Sequence, residues 1–303
     1  MRDECPVPAP TAETAASMDS LLYFVWEREA IRLARLNGHS APWTHDPILA
    51  KYKFTNIRRK HDRVSEWIIN VIIKPHQDRE DLWFTLLITR LINWPVTLNS
   101  LLMYNVIPCE PAHFDHKNFV KVIEDVKKSV GKVYSGAYMV YPTKMDPGGV
   151  KSEALAKHII NAAAKAEREV AASLSHNNIE PFVTELSKCF GISTFMAGQV
   201  AADLTYAKGH LENAVDLYTY APIGPGSSRG LNYLVNNPPF ASWDQQEFND
   251  ILIAINDLIK EELDITDLTL HDVQNIMCEF SKFVRTLTGE GKPKTLYQPE
   301  MEF

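Results

Sequence analysis

The sequence predicts an all-α protein. Apolar residues recur at three- and four-residue intervals in one window after another, as in VSEWIINVI and DVQNIMCEFSKFV. Gly- and Pro-rich polar stretches separate those windows, and only residues 132–141, KVYSGAYMVY, read like a pair of strands. Residues 1–17, rich in Pro, Ala and Thr, bury little and are expected to form a flexible lead-in. From Asp19, a candidate N-cap, the first helix runs through LLYFVWEREAIRLARLN to a stop at Gly38. Helical patterning then covers residues 62–73, 79–92 and 116–130, the last stopped by Gly131. It resumes over 151–174, 179–189, 193–206, 244–263 and 270–287. Loops are expected at 39–49, 142–149, 220–230 and 288–298, and polar loops on a helical scaffold are where sites tend to sit. Residues 18–303 are expected to form a single helical catalytic domain, with a division into two helical lobes left open.

Composition sets the class. The 303 residues are 45% hydrophobic and 23% charged, the balance of an ordinary globular protein. No apolar run approaches the roughly 18 residues of a membrane span, and the N-terminus lacks a secretory pattern. Cys5, Cys109, Cys189 and Cys278 are widely spaced, so neither a metal site nor a disulfide framework is expected, and a reducing cytoplasm fits best. A net charge of −7 argues mildly against nucleic acid as a partner. The charge is uneven, however: residues 51–63, KYKFTNIRRKHDR, hold six Lys or Arg against one Asp, while acidic residues crowd into 244–267.

Five polar constellations are candidates for chemistry. Asn56, Arg58, Arg59, Asp62, Arg63 and Trp67 stand at a helix entrance, with Arg59, Arg63 and Trp67 spaced to share a helical face. Arginine forks suit phosphate or carboxylate, although such a run taken alone is more often a solvated, salt-bridged helix start. Arg90, Asn93 and Trp94 follow an apolar helix. Residues 186–204, LSKCFGISTFMAGQVAADL, read as helix, tight turn at Gly191, and a second helix starting near Ser193 or Thr194. Gly224 to Gly230, GPGSSRG, offers glycines that free the backbone around an anion, with Ser227, Ser228 and Arg229 as donors. It lacks the Gly-Lys-Ser/Thr of a Walker loop, and no strand precedes it as a dinucleotide fingerprint requires. Finally, Asn275, Glu279 and Lys282 form a polar stripe on an otherwise apolar helix, with Asp272, Gln274 and Cys278 beside them. Polar groups on an inward face need partners, which points to a site or a buried network.

The 186–204 segment resembles the helix–hairpin–helix of DNA repair glycosylases, with Ser193 where that pattern has its second glycine. That likeness implies that amides at the second helix start hold a DNA phosphate, and that Asp216 is the aspartate following the hairpin. Phe195 stands where some of those enzymes carry a lysine nucleophile, so a lysine mechanism finds no support. A wider resemblance rests on FTNIRRKHDRVSEWI, DLWFTLLITRLINWPVTL, SGAY, GISTFMAGQVAADL, GPGSSRGLN, DVQNIMCEFSKFVR and GEGKPK, which occur in order from residue 54 to 294. Together they resemble the alpha-glutamyl/putrescinyl thymine pyrophosphorylases, the amino acid:DNA transferases of phages that hypermodify thymidine. A related helical domain accompanies phage 5-hydroxymethyluracil DNA kinases.

The resemblance implies a helical, DNA-glycosylase-like fold working on DNA in an infected bacterial cytoplasm, in association with a 5-hydroxymethyluracil DNA kinase and without a cofactor. Such a transferase replaces the phosphate or pyrophosphate of an activated 5-hydroxymethyluracil base with the amine of an amino acid or polyamine. Glycine, glutamate and putrescine all remain open as donors. A base inside a duplex is out of reach, so it is expected to be flipped. Gly226, Ser227, Ser228 and Arg229 are then expected to hold the leaving phosphate. Asn56, Arg58, Arg59, Arg63, Gly191, Ser193 and Lys282 are expected to meet DNA or the donor's carboxylate. Asp216 and Glu279 compete for the general base. A glycosylase using Asp216 and a non-catalytic DNA-binding partner of a kinase are the rival readings.

Overall fold

A computed structural model describes residues 1–136 and 149–298, and among them the protein is helical. The chain divides into two compact units, one made of Met1–Asp62 with Tyr218–Glu302 and the other of Arg63–Leu217. The split unit opens with α1 (Met18–Leu36) and the short α2 (Pro47–Lys51). The continuous unit holds α3 (Arg63–Ile68), α4 (Lys74–His76), α5 (Leu82–Ile92), α6 (Pro95–Met103) and α7 (His116–Val130). It continues through α8 (Lys151–Ala154), α9 (Asn161–Lys165), α10 (Glu167–Leu174), α11 (Ile179–Ser187) and α12 (Thr194–Leu204). The chain returns to the split unit for α13 (Pro225–Leu234), α14 (Gln245–Leu263) and α15 (Leu270–Leu287).

Capping chemistry explains several boundaries. Ser17, not Asp19, caps α1 by accepting the Ser20 amide, and Asp19 sits in the first turn, where its charge suits the helix dipole. Gly131, at φ 82°, closes α7 in a conformation that costs a side-chain-bearing residue more. Thr269 and Asp272 exchange side-chain-to-backbone hydrogen bonds in a capping box that starts α15. Residues 1–17 make anchoring contacts: the Arg2 amide donates to the Leu263 carbonyl, Trp26 donates to the Arg2 carbonyl, and Ala15 is fully buried.

Each unit has an aromatic heart. In the split unit Phe24 packs against Phe54, Phe280 and Phe283, with ring centroids 5.3–6.1 Å apart. In the continuous unit Trp83, Phe84, Phe114 and Phe119 form a comparable chain of edge-on contacts. Residues 132–136 of the expected strand pair carry no strand, and the rest of that segment lies outside the described residues, as does most of the 142–149 loop. The one β-like feature among the described residues is an antiparallel bridge between Tyr52 and Leu296. No helix among the described residues is long and apolar enough to cross a membrane.

The Gly-Pro-Gly stretch is the main correction to the expected fold. It is a helix start rather than a loop: Gly224 is the N-cap, Pro225 occupies the first helical position, and the Ser227 hydroxyl accepts the Gly224 amide and donates to the Gly224 carbonyl. Its glycines serve packing. A Cβ on Gly230 would lie 2.2 Å from the Met277 carbonyl oxygen, and one on Gly226 would lie 2.3 Å from the Cys278 sulfur. The four-residue spacing puts both glycines on the α13 face that meets α15, so the two backbones approach closely.

Candidate functional site

The polar stripe expected on α15 exists, and its partners come from residues 54–62 of the same unit. Glu279, only 4% exposed, accepts the Thr55 amide at 3.2 Å and pairs with Lys282 one turn on. Asn275 donates to the Thr55 hydroxyl at 2.9 Å. Asp272, besides capping α15, accepts the Arg59 amide at 2.8 Å. Arg28 reaches in from α1 to donate to the carbonyls of Phe54 and Thr55, both at 3.2 Å. Asp62 accepts the Asn56 amide at 2.7 Å, while the Asn56 side chain donates to the His61 carbonyl. A run of irregular backbone thus gains the hydrogen bonds it cannot make as a helix by borrowing side chains from α1 and α15.

Electrostatics separates these carboxyls from ordinary surface acids. Burial, set against the Asn56 amide and the nearby charges of Arg59 and Arg28, pushes the half-buried Asp62 up to about 7. Burial also raises Asp272, opposed by the amides it accepts and by Arg59. The Cys278 thiol is pushed up to about 11 by burial despite Lys282, Arg229 and Arg59, so it is protonated at neutral pH and lacks the thiolate a nucleophile needs. Solvent reaches this cluster at Asp62, Asn275 and Lys282, which are half-buried. Its repertoire is therefore proton exchange near neutral pH beside fixed positive charge.

The other expected site residues have varied fates. Arg58 is clamped by Asp267, with Nε 2.9 Å from both carboxylate oxygens, and its Nη1 lies 2.8 Å from Glu29. The basic run at 51–63 and the acidic run at 244–267 thus neutralise each other in part. Arg59 is 4% exposed and lies in a 3₁₀ turn, Arg59–His61. Asp62 is extended at φ −74° and ψ 135°, and α3 begins afresh at Arg63. The shared helical face expected of Arg59, Arg63 and Trp67 is therefore not formed, and Arg63 belongs to the continuous unit. Ser227 is 1% exposed and engaged with Gly224 and Gln274, and Ser228 donates to the Ala241 carbonyl. Arg229 lies over the Phe240 ring at 4.6 Å, and its charge partly opposes the rise that burial imposes on Cys278.

Asp216 lies in the continuous unit, whereas Glu279 and Arg229 lie in the split one. Its two oxygens accept the Ile179 and Glu180 amides at 2.7 and 2.9 Å, so it caps α11 from a distant point in the sequence. Gly191 adopts φ +78° in the turn between α11 and α12, and Ser193 caps α12 by accepting the Met196 amide. The Arg90 set becomes a closed network: Arg90 grips Asp203 at 2.6 and 2.5 Å and donates to Asn93 and Ser65. Sequence reasoning missed Asp203 because a lone Asp in an apolar helix gives no hint of its partner. It passed over Arg28 because a basic residue in a long helix reads as surface.

Known proteins give this architecture a place. A phage relative, the "5-hmdU DNA kinase" of Bacillus phage SP10, is 26% identical over 285 residues, which cover 86% of this chain. The chain spans 42% of that relative's length. No solved structure matches. Residues 15–292 match the family described as "5-hmdU DNA kinase, helical domain". By that match, across nearly its whole length, the chain belongs to the family of 5-hmdU DNA kinase helical domains.

Proposed function

We propose that the chain acts on DNA carrying phosphorylated 5-hydroxymethyluracil, as a transferase that exchanges the (pyro)phosphate for the amine of an amino acid or polyamine. The observation that carries this reading is the buried cluster of Asp62, Asp272 and Glu279 beside Arg28, Arg59 and Lys282. A carboxyl held near neutrality beside fixed cations suits an incoming ammonium group, which must lose a proton before it attacks. In the proposed step the bond from the 5-methylene carbon to oxygen breaks and (pyro)phosphate leaves with the electron pair. A nitrogen–carbon bond forms, and the ammonium proton passes to Glu279 or Asp62. Arg229 and the amides at the start of α13 oppose the charge that develops on the leaving group. The turn at Gly191 and Ser193 keeps its proposed part in holding a DNA phosphate, in a glycosylase-like hairpin.

A second reading is favoured by the kinase helical-domain match. In it the chain presents DNA to a separate kinase and turns nothing over. Mass spectrometry of nucleosides distinguishes the two after phosphorylated hydroxymethyluracil DNA is incubated with the protein and a mixture of glycine, glutamate and putrescine. The transferase yields an amine-bearing nucleoside. Unaltered DNA, with the protein accelerating a kinase added in trans, selects the second reading, and abasic sites would select a glycosylase.

A further inference from the structure

Within the split unit, the cations of the 51–63 run that Asp267 does not neutralise meet a second set from the far end of the chain. The Lys53 amide donates to the Thr295 carbonyl at 3.0 Å, the Tyr297 amide donates to the Lys51 carbonyl at 3.0 Å, and Tyr52 bridges Leu296. This short antiparallel pairing brings Lys51 and Lys53 beside the segment carrying Lys292 and Lys294, and all four side chains are exposed. Residues paired across an antiparallel bridge share a face, so Lys51 and Tyr297 point the same way. Over Tyr297 sits Arg35: its guanidinium carbon is 5.7 Å from that ring's centroid and 5.4 Å from the Trp43 centroid, and the two rings meet edge to face. Contact with both rings holds the guanidinium in place beside the Lys51–Tyr297 pairing. Asp46 caps α2, and Glu290 accepts the Tyr233 hydroxyl.

We infer that Arg35, Lys51, Lys53, Lys292 and Lys294 form a track for the phosphate backbone of DNA flanking the modified base. A cluster of exposed cations, gathered from distant stretches of a chain of net charge −7, suits a polyanion partner. A guanidinium held in place suits the fork geometry of a phosphate. This inference rests on the DNA-acting reading above and adds the surface by which DNA is held. Arg58 and Arg59, which the sequence offered for that task, are excluded from it by ion pairing and burial.

The test is fluorescence anisotropy of the full chain on a duplex containing hydroxymethyluracil, across a salt series. Lys51→Glu/Lys292→Glu/Lys294→Glu should bind at least tenfold more weakly, with a salt slope reduced by about three, close to one unit per lost phosphate contact. Arg35→Gln, tested alone with unchanged thermal unfolding, should weaken binding by about threefold to tenfold, the range of one charged contact. Parental affinity and slope in both variants would overturn the track yet leave the DNA reading standing. A parent protein that binds neither this duplex nor its single strand would overturn both.

Discussion

The two units bury charge in different ways. In the continuous unit Arg90 and Asp203 are each 1% exposed and meet fork to fork, with Ser65 and Asn93 taking further guanidinium donors. Such a pair is closed: it ties α5 to α12 and has no strong acceptor left for a substrate. In the split unit Asp62 and Asp272 each accept backbone amides, Glu279 is shared between the Thr55 amide and Lys282, and solvent reaches the edge of the group. Both arrangements are buried and polar, and in the second burial pushes the Asp62 carboxyl up to about 7. Burial of charge alone therefore does not mark a reactive site; its distribution among the partners does.

The closed pair is the place to break that contrast hardest. Asp203→Ala strands Arg90 in the core and should cost about 3–5 kcal/mol in urea unfolding. Arg90→Met/Asp203→Leu, which removes both charges and keeps volume, should recover most of that loss. A cost below about 1 kcal/mol for Asp203→Ala would place the pair among ordinary surface bridges and dissolve the comparison.

Asp62 tests the other half. Its folded pKa is raised from 3.8 to about 7, so between those values the folded chain holds a proton that the unfolded chain releases. The stability this group contributes is complete below about pH 4 and is lost as pH rises through about 7. Asp62→Asn keeps an oxygen for the Asn56 amide and removes this dependence. The variant should match the parent at pH 4 and exceed it at pH 8 by on the order of 2 kcal/mol, allowing for the solvent that reaches the half-buried carboxyl. Parallel melting curves for the two proteins from pH 4 to 8 would show that Asp62 is not desolvated.

How much of this was legible depends on whether the deciding partner lies nearby in sequence. The long helices were, because α1, α7, α14 and α15 carry their own apolar periodicity and caps. So was the stripe on α15, since Asn275, Glu279 and Lys282 announce themselves against an apolar face. The Gly224–Gly230 segment misled because glycine at i and i+4 is a turn signal when read locally and a packing surface once α15 lies against it. The basic run misled in a similar way. Nothing near Arg58 indicates that Asp267, more than two hundred residues on, will clamp it, or that Lys51 and Lys53 will meet Lys292 and Lys294.

Asp216 gives the smallest effect and the sharpest division of labour. As the cap of α11 it supplies two acceptors to amides at a helix start, so Asp216→Ala should lower stability by about 1 kcal/mol and Asp216→Asn by less, since one oxygen remains. In the transfer assay both variants should retain the parental pH–rate profile, because the proton acceptors proposed here lie in the split unit. Glu279→Gln should instead lower the rate by a hundredfold or more, the usual scale for loss of a general base. A hundredfold fall in Asp216→Asn with stability intact would move the chemistry into the continuous unit.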